Sequence, residues 1–326
     1  MTTRLNRREV LLRAGALAVL GGAQPVRAQP SARGTLRLVV SVAAGVGSDA
    51  SARALAEAYR QSTGLPCIVE NKPGANASIA AIDVARAKPD GQSILWVTGG
   101  HTTNAVLAKK LPYDSIRDFT PVTQLTRSPG FALIVGNKSP YRTLRELVEA
   151  ARAQPGKLTY GSTGIGNTTH VAGALFCRSV GVEMLHVPYR TSPLVDTISG
   201  NVDMMFMSPT LLIGPLRTGQ LRALGLSGDQ GFDQLPDVPT YTRAGFQQPD
   251  LPAWSGVLAP PGMPPDVLAA LHADLIQAAR HPVFAKSVQD AGGTVFTTNP
   301  QAFRQYVVAE IDRLGKILPP LGIEMD

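Results

Sequence analysis

The stretch Tyr160-Gly161-Ser162-Thr163-Gly164-Ile165-Gly166-Asn167-Thr168-Thr169-His170 decides how this chain is read. An apparent strand enters it from Lys157 and an apparent helix leaves it, so a glycine-rich turn sits at the carboxyl end of a strand. Gly161, Gly164 and Gly166 permit positive φ and a close approach of backbone to a ligand, while Ser162, Thr163, Asn167, Thr168 and Thr169 supply short donors at a helix start. A helix N-terminus carries unpaired N–H groups and about half a positive charge, so a carboxylate or phosphate can dock there. Residues 161–168 run G-x-x-x-x-G-N-T, one residue from a Walker phosphate loop, but Asn167 stands where a lysine would reach the β and γ phosphates. That disfavours nucleotide hydrolysis, and taken alone the stretch reads equally as a capped strand-to-helix turn.

Upstream, the same arrangement recurs. Leu36 to Val42 is an apolar run of strand length, followed by Ala43-Ala44-Gly45-Val46-Gly47-Ser48-Asp49 and a helical pattern from Ala50 to Gln61, with Asp49 placed as the cap and Gly64 as the stop. Cys67 to Glu70, Ile79 to Ala87 and Ser93 to Thr98 continue as strand, helix and strand. Ligands of such sheets sit beyond the carboxyl ends of the strands, which selects Gly45 to Asp49 and Thr98 to Thr102, with His101 among them. Gly45-Val46-Gly47 is half of a dinucleotide fingerprint whose third glycine is replaced by Ala50, so no nucleotide cofactor is expected.

Downstream, Phe131 to Val135 opens a second unit, and Thr143-Leu144-Arg145-Glu146 is a capping box for a helix to about Ala153. Glu183 to Tyr189, a short helix ended by Gly200, Val202 to Met207, Leu221 to Leu226 and Trp254 to Leu258 follow. The last segment is helical over Pro264 to Arg280, Pro282 to Asp290 and beyond an Asn299 cap with Pro300 at the first helical position. Strands alternating with helices predict an α/β chain of two mostly parallel domains. Residues 29–126 plus 251–326 are expected to form domain 1 and residues 127–250 domain 2, with two linking passes suited to hinge closure over a ligand.

The chain of 326 residues begins with arginines at 4, 7, 8 and 13, an apolar run from Ala14 to Ala23, and Val26-Arg27-Ala28. This order matches a secretory signal peptide of twin-arginine character cleaved near Ala28, which places the mature protein in the periplasm. The segment holds five arginines and one glutamate of the 31 basic and 24 acidic residues, so the remainder carries 26 and 23 and a net charge of +3 rather than +7. A charge that small, without a basic run interleaved with aromatics, excludes a nucleic-acid partner. Two cysteines, Cys67 and Cys177, are too few for a disulfide framework or a structural zinc site, and no H-E-x-x-H spacing occurs. The methionines read as core filling. Ser162, His170 and Asp203 are the residue types of a hydrolytic triad, but Tyr160 breaks the G-x-S-x-G elbow, so no enzyme is expected.

Several ordered motifs resemble the Bug/TctC family, the periplasmic solute receptors of tripartite tricarboxylate transport systems. They are Leu38-Val39-Val40 with the glycine loop to Asp49, Val69-Glu70-Asn71-Lys72-Pro73-Gly74-Ala75, Lys88-Pro89-Asp90-Gly91, and Leu111-Pro112-Tyr113-Asp114 with Asp118-Phe119. Further along stand His186-Val187-Pro188-Tyr189-Arg190, Gly200-Asn201-Val202-Asp203, Leu235-Pro236-Asp237-Val238-Pro239-Thr240 and Ala259-Pro260-Pro261-Gly262. The resemblance implies a two-lobed periplasmic-binding-protein fold of type II, a monomer that captures a small di- or tricarboxylate or aromatic acid for the membrane subunits of a tripartite transporter. Presentation of the solute to a signalling sensor is the alternative. It implies a ligand carboxylate held by Gly45, Val46, Gly47, Ser48 and Asp49 and by Ser162, Gly166, Asn167, Thr168 and Thr169, with Thr98, His101, Tyr189 and Met207 completing the candidate set. Ser41 and Val42 depart from the proline and aromatic residue frequent there. Met207 replaces an acid frequent in amino-acid-binding members, and because an unpartnered buried ammonium is costly, its presence favours a ligand without one.

Overall fold

The computed structural model describes residues 34–45, 48–128, 130–209, 212–227, 231–232, 235–247, 251–323 and 325. The expected signal peptide, Val46 and Gly47 lie outside the described residues. In chain order the elements are β1 (Leu36–Val40), α1 (Ser48–Thr63), β2 (Cys67–Asn71), α2 (Ser78–Ala85), β3 (Ser93–Thr98), α3 (Gly100–Leu107), β4 (Thr120–Ser128), β5 (Ala132–Gly136), α4 (Leu144–Ala153), β6 (Thr159–Ser162) and α5 (Thr168–Val180). They continue as β7 (Leu185–Pro188), α6 (Leu194–Ser199), β8 (Met204–Met207), α7 (Ile213–Arg217), β9 (Leu221–Leu226), β10 (Ala253–Ala259), α8 (Pro265–Arg280), α9 (Pro282–Asp290), β11 (Thr294–Val295) and α10 (Pro300–Ile317).

Two sheets organise these elements into two lobes. The first has the order β11-β4-β10-β3-β1-β2 and the second β7-β6-β8-β5-β9. In the first, β1 lies parallel to both β2 and β3, with Val40 opposite Asn71 and Trp96. In the second, β6 lies parallel to β7 and β8. Each sheet is interrupted by an antiparallel strand, β10 between β3 and β4, and β5 between β8 and β9.

The strands read as near-continuous apolar runs because both faces of each sheet are covered. Leu36, Leu38 and Val40 of β1 pack with Leu55 and Tyr59 of α1, Leu275 of α8 and Phe284 of α9. Val39, on the opposite face, joins Leu95, Val97, Trp254 and Phe303 of α10. The second lobe divides in the same way, with Leu133, Val135, Phe176 and Phe206 on one face and Ala132, Ile134, Met205 and Met207 on the other.

The lobes are joined by the passes that follow β4 and precede β10, and by a third tie the sequence did not suggest. Helix α10 buries Phe303 and Val307 in the first lobe, whereas Leu314, Leu318 and Met325 belong to the core of the second. Met325 also forms an isolated parallel bridge with Ala108, next to α3.

Four of these elements were not expected: β4, α3, the short helix α7 and the two-residue β11. Strand β4 reads Thr-Pro-Val-Thr-Gln-Leu-Thr-Arg-Ser, whose polar residues hide its pattern although Val122, Thr123, Gln124 and Leu125 are fully buried. Helix α3 begins directly at Gly100, where the sequence was read as loop. Cys67 and Cys177 are free thiols, each pushed up to about 12 by burial.

Candidate functional site: two loops that meet between the lobes

Strand β6 delivers Ser162 to a turn whose form is fixed by glycine. Gly164 and Gly166 take φ of 127° and 72°, and a side chain on Gly166 would collide with Met325. Asn167 is the N-cap of α5, its Oδ1 accepting the N–H of Thr169 at 3.3 Å. Thr169 braces the turn from below: its hydroxyl accepts the N–H of Thr163 at 3.1 Å and lies 3.2 Å from the Thr163 hydroxyl. The Ser162 hydroxyl is wholly buried and is spent on Gly164 and on His186 Nε2 at 2.6 Å, so it faces inward rather than towards a ligand.

Beneath the turn, His170 and His186 stack face to face with centroids 3.6 Å apart, beside Tyr160. The Gly166 N–H donates to His170 Nδ1 at 3.0 Å, which requires that nitrogen to be unprotonated. Burial holds both imidazoles down at about 4, and in His170 the neighbouring His186 adds to the effect. The unfolded chain therefore takes up protons below the ordinary value of 6.5 while the folded chain does not. The histidine contribution is expected to be complete above pH 6.5 and to be lost as pH falls from 6.5 towards about 4. Urea titrations at pH 7 and pH 4.5 check this: His186→Gln should show a shallower loss than the parent, and equal slopes would refute the assignment.

On the first lobe, the Gly45 loop is held by one carboxylate. Asp49 is 1% exposed and accepts from Gly45 N (2.8 Å), Arg53 Nε (2.8 Å) and Asn71 Nδ2 (2.7 Å). Burial alone would raise its pKa, but these donors outweigh it and hold the carboxyl below the usual range. The expected helix cap is instead a loop clamp, since its recorded partners lie in the loop, on β2 and one turn along α1. Asn71, which also donates to Val42 O, lies in the motif of residues 69–75, and nothing in its sequence context signals this bracing role.

The β3–α3 turn brings the lobes together. Because β1 and β3 are parallel neighbours, their carboxyl ends open on one edge, and Gly99 there faces Thr168: a methyl built on Gly99 would lie 3.6 Å from the Thr168 hydroxyl. Thr103 of α3 donates to Gly166 O at 3.3 Å across the same junction. Gly99 and Thr168, far apart in sequence, thus flank one point between the lobes.

Other candidates sit elsewhere. His101 is buried with Nε2 2.9 Å from Ser115 O, between Tyr113 and Phe119, and desolvation lowers its pKa. Met207 is 6% exposed within the second-lobe core. Tyr189 donates its backbone N–H to Ser162 O, and its phenol, pushed up to about 12 by partial burial and the Asp196 carboxylate, is bound to Asp196. No triad is assembled: Ser162 meets His186 rather than His170, and Asp203 accepts from Thr159 N and Oγ1. Among the described residues no three potential metal ligands cluster, and no helix is long and apolar enough to cross a membrane.

Known proteins share this architecture. The sequence profile of the tripartite tricarboxylate transporter family receptor, TctC, matches residues 51–323. The periplasmic binding protein BugD is 29% identical, with a TM-score of 0.83 over 90% of this chain and 99% of its own. MatC of Rhodopseudomonas palustris, solved with bound malate, is 29% identical, with a TM-score of 0.78 over 86% and 98% of the two chains. Rpa4515 of R. palustris, solved with adipate, is 28% identical, with a TM-score of 0.84 over 91% and 99%. The profile spans most of the chain and the fold is that of two-lobed periplasmic binding proteins, so the chain belongs to the Bug/TctC family of receptors.

Proposed function

We propose that the chain is an exported receptor that captures a small di- or tricarboxylate or aromatic acid between its lobes and hands it to the membrane subunits of a tripartite tricarboxylate transporter. The observation that carries this reading is the meeting of Thr168 with Gly99, which sets the N-termini of α5 and α3 at one interlobe point. Two helix starts present N–H groups and positive dipole ends, a setting that favours a carboxylate. Relatives solved with malate and adipate carry ligands of this class. The Ser162 hydroxyl is buried and committed to His186, so it is not free to attack a ligand, and the reading is binding without catalysis.

Thermal shifts of the purified protein with malate, adipate, citrate and benzoate test it, with aspartate, glutamate and glucose as comparisons. A solute at 100 times its Kd stabilises by about 2.7 kcal/mol, a shift of several degrees. The reading fails if amino acids or sugar raise Tm and none of the ammonium-free acids does.

A further inference from the structure

Trp254, at the start of β10, is 4% exposed, yet its indole Nε1 has no hydrogen-bond partner among the described residues. A buried donor left unpaired is expensive, so its direction matters. Its ring packs edge to face against Phe303 and Tyr306 of α10, with centroids 5.8 and 5.5 Å away. The nitrogen lies at the interlobe turn: a methyl built on Gly99 would lie 3.7 Å from Trp254 Nε1 and 3.6 Å from Thr168 Oγ1. The orphan donor therefore looks into the point where the two lobes meet.

We propose that the Trp254 indole N–H is a specificity-determining donor, which takes one oxygen of the bound carboxylate at the Gly99–Thr168 junction. The first lobe then grips the solute through Trp254 and the start of α3, and the second through Thr168 and the start of α5. This rests on the carboxylate-receptor reading above and adds the residue that reads the anion. The chemistry is one-sided. An indole nitrogen only donates, and both helix starts are positive, so the pocket end accepts a carboxylate oxygen and rejects an ammonium. Rejection of ammonium at this end thus has a cause in the first lobe, separate from Met207, which lies in the core of the second.

The position was not legible in the sequence, where Trp254 reads only as an aromatic residue in a strand. The structural signal is a contrast within one face. The indole shares its cluster with the apolar Phe303, Val307 and Leu258, and its nitrogen finds no partner among the described residues.

The chain has two tryptophans, Trp96 and Trp254, which makes the test direct. Trp96 Nε1 is also unpaired, but its ring belongs to the opposite face of the first sheet and serves as an internal reference. The full chain labelled with 15N-indole tryptophan gives two indole N–H signals, assigned with Trp96→Phe. Malate, adipate, citrate and benzoate are titrated separately, and Tm is recorded on the same samples.

The expected result is that each acid that raises Tm moves the Trp254 indole proton downfield and leaves that of Trp96 in place. Trp254→Phe is expected to weaken such an acid about tenfold or more, while Trp96→Phe is not. An acid that raises Tm without moving the Trp254 signal, or that binds Trp254→Phe as it binds the parent, overturns the proposal. Should no acid raise Tm, the carboxylate reading falls and this inference with it, and the thermal arm identifies that failure as the cause. If Trp254→Phe does not fold, the signals of the unsubstituted chain still decide.

Discussion

Thr168→Val is expected to weaken carboxylate binding ten- to a hundredfold while leaving the unliganded protein close to the parent in stability. The reasoning separates two neighbouring hydroxyls. Thr168 faces Gly99 across the junction, whereas Thr169 is committed to Thr163. Removing one hydrogen bond to a charged ligand group costs about 1.5–3 kcal/mol, which is the tenfold to hundredfold loss stated. Thr169→Val should also weaken binding, but by loosening the turn, so its loss comes with a lower unfolding free energy. Calorimetric titration of both variants with an acid identified by thermal shift, beside urea unfolding of the unliganded proteins, distinguishes the two. If both bind like the parent, the turn at Gly161–Thr169 is structural only.

The second large effect concerns the first lobe. Asp49→Ala should lower the unfolding free energy by about 2–4 kcal/mol, because the Gly45 N–H and the Asn71 amide lose their common acceptor. Arg53 adds less, since its side chain is 51% exposed and water replaces the pair. Asp49→Asn, which keeps an acceptor and loses the charge, should fall between Ala and the parent. The sign with pH follows from the lowered carboxyl: its contribution is present above the ordinary carboxylate value and is lost as pH falls through the lower folded value. Unfolding by urea at pH 7 measures the loss. A value within about 0.5 kcal/mol of the parent would mean that the loop does not depend on the clamp.

Sequence patterns revealed the elements whose two faces are both buried or whose caps are local. Ser93–Thr98 and Leu221–Leu226 have the bounds read from the sequence, and the Thr143 box opens α4 as expected, although Glu146 reaches back to Arg142 N rather than to Thr143 N. Strand β4 was invisible because the buried Thr123 hydroxyl and the Gln124 backbone N–H find partners on Thr298, 175 and 174 residues away, and no local pattern encodes such a partner. The two glycine loops were legible as loops. What each side chain does in them was less so: Ser162 turns inward to His186, Asp49 clamps rather than caps, and His101 enters an aromatic cluster. Those outcomes depend on residues 24 and 22 positions away in the first two cases and on the packing of a neighbouring turn in the third. Trp254 lay beyond sequence reasoning for the same reason, since its significance is the absence of a nearby acceptor.

The third tie between the lobes has a consequence for the order of assembly. The first sheet needs β10 inserted between β3 and β4, and the second core needs Leu314, Leu318 and Met325. Neither lobe is therefore a contiguous stretch of chain that can close as soon as it is made. Strands β5 to β9 form one uninterrupted run of sequence, yet the core they share with Leu314, Leu318 and Met325 stays incomplete until those residues arrive. Contacts of such long sequence separation slow folding, because loop-closure entropy is spent before the contacts repay it. Until residue 253 arrives, β3 and β4 each offer an open edge to any other strand, and the last helix completes both lobes at once.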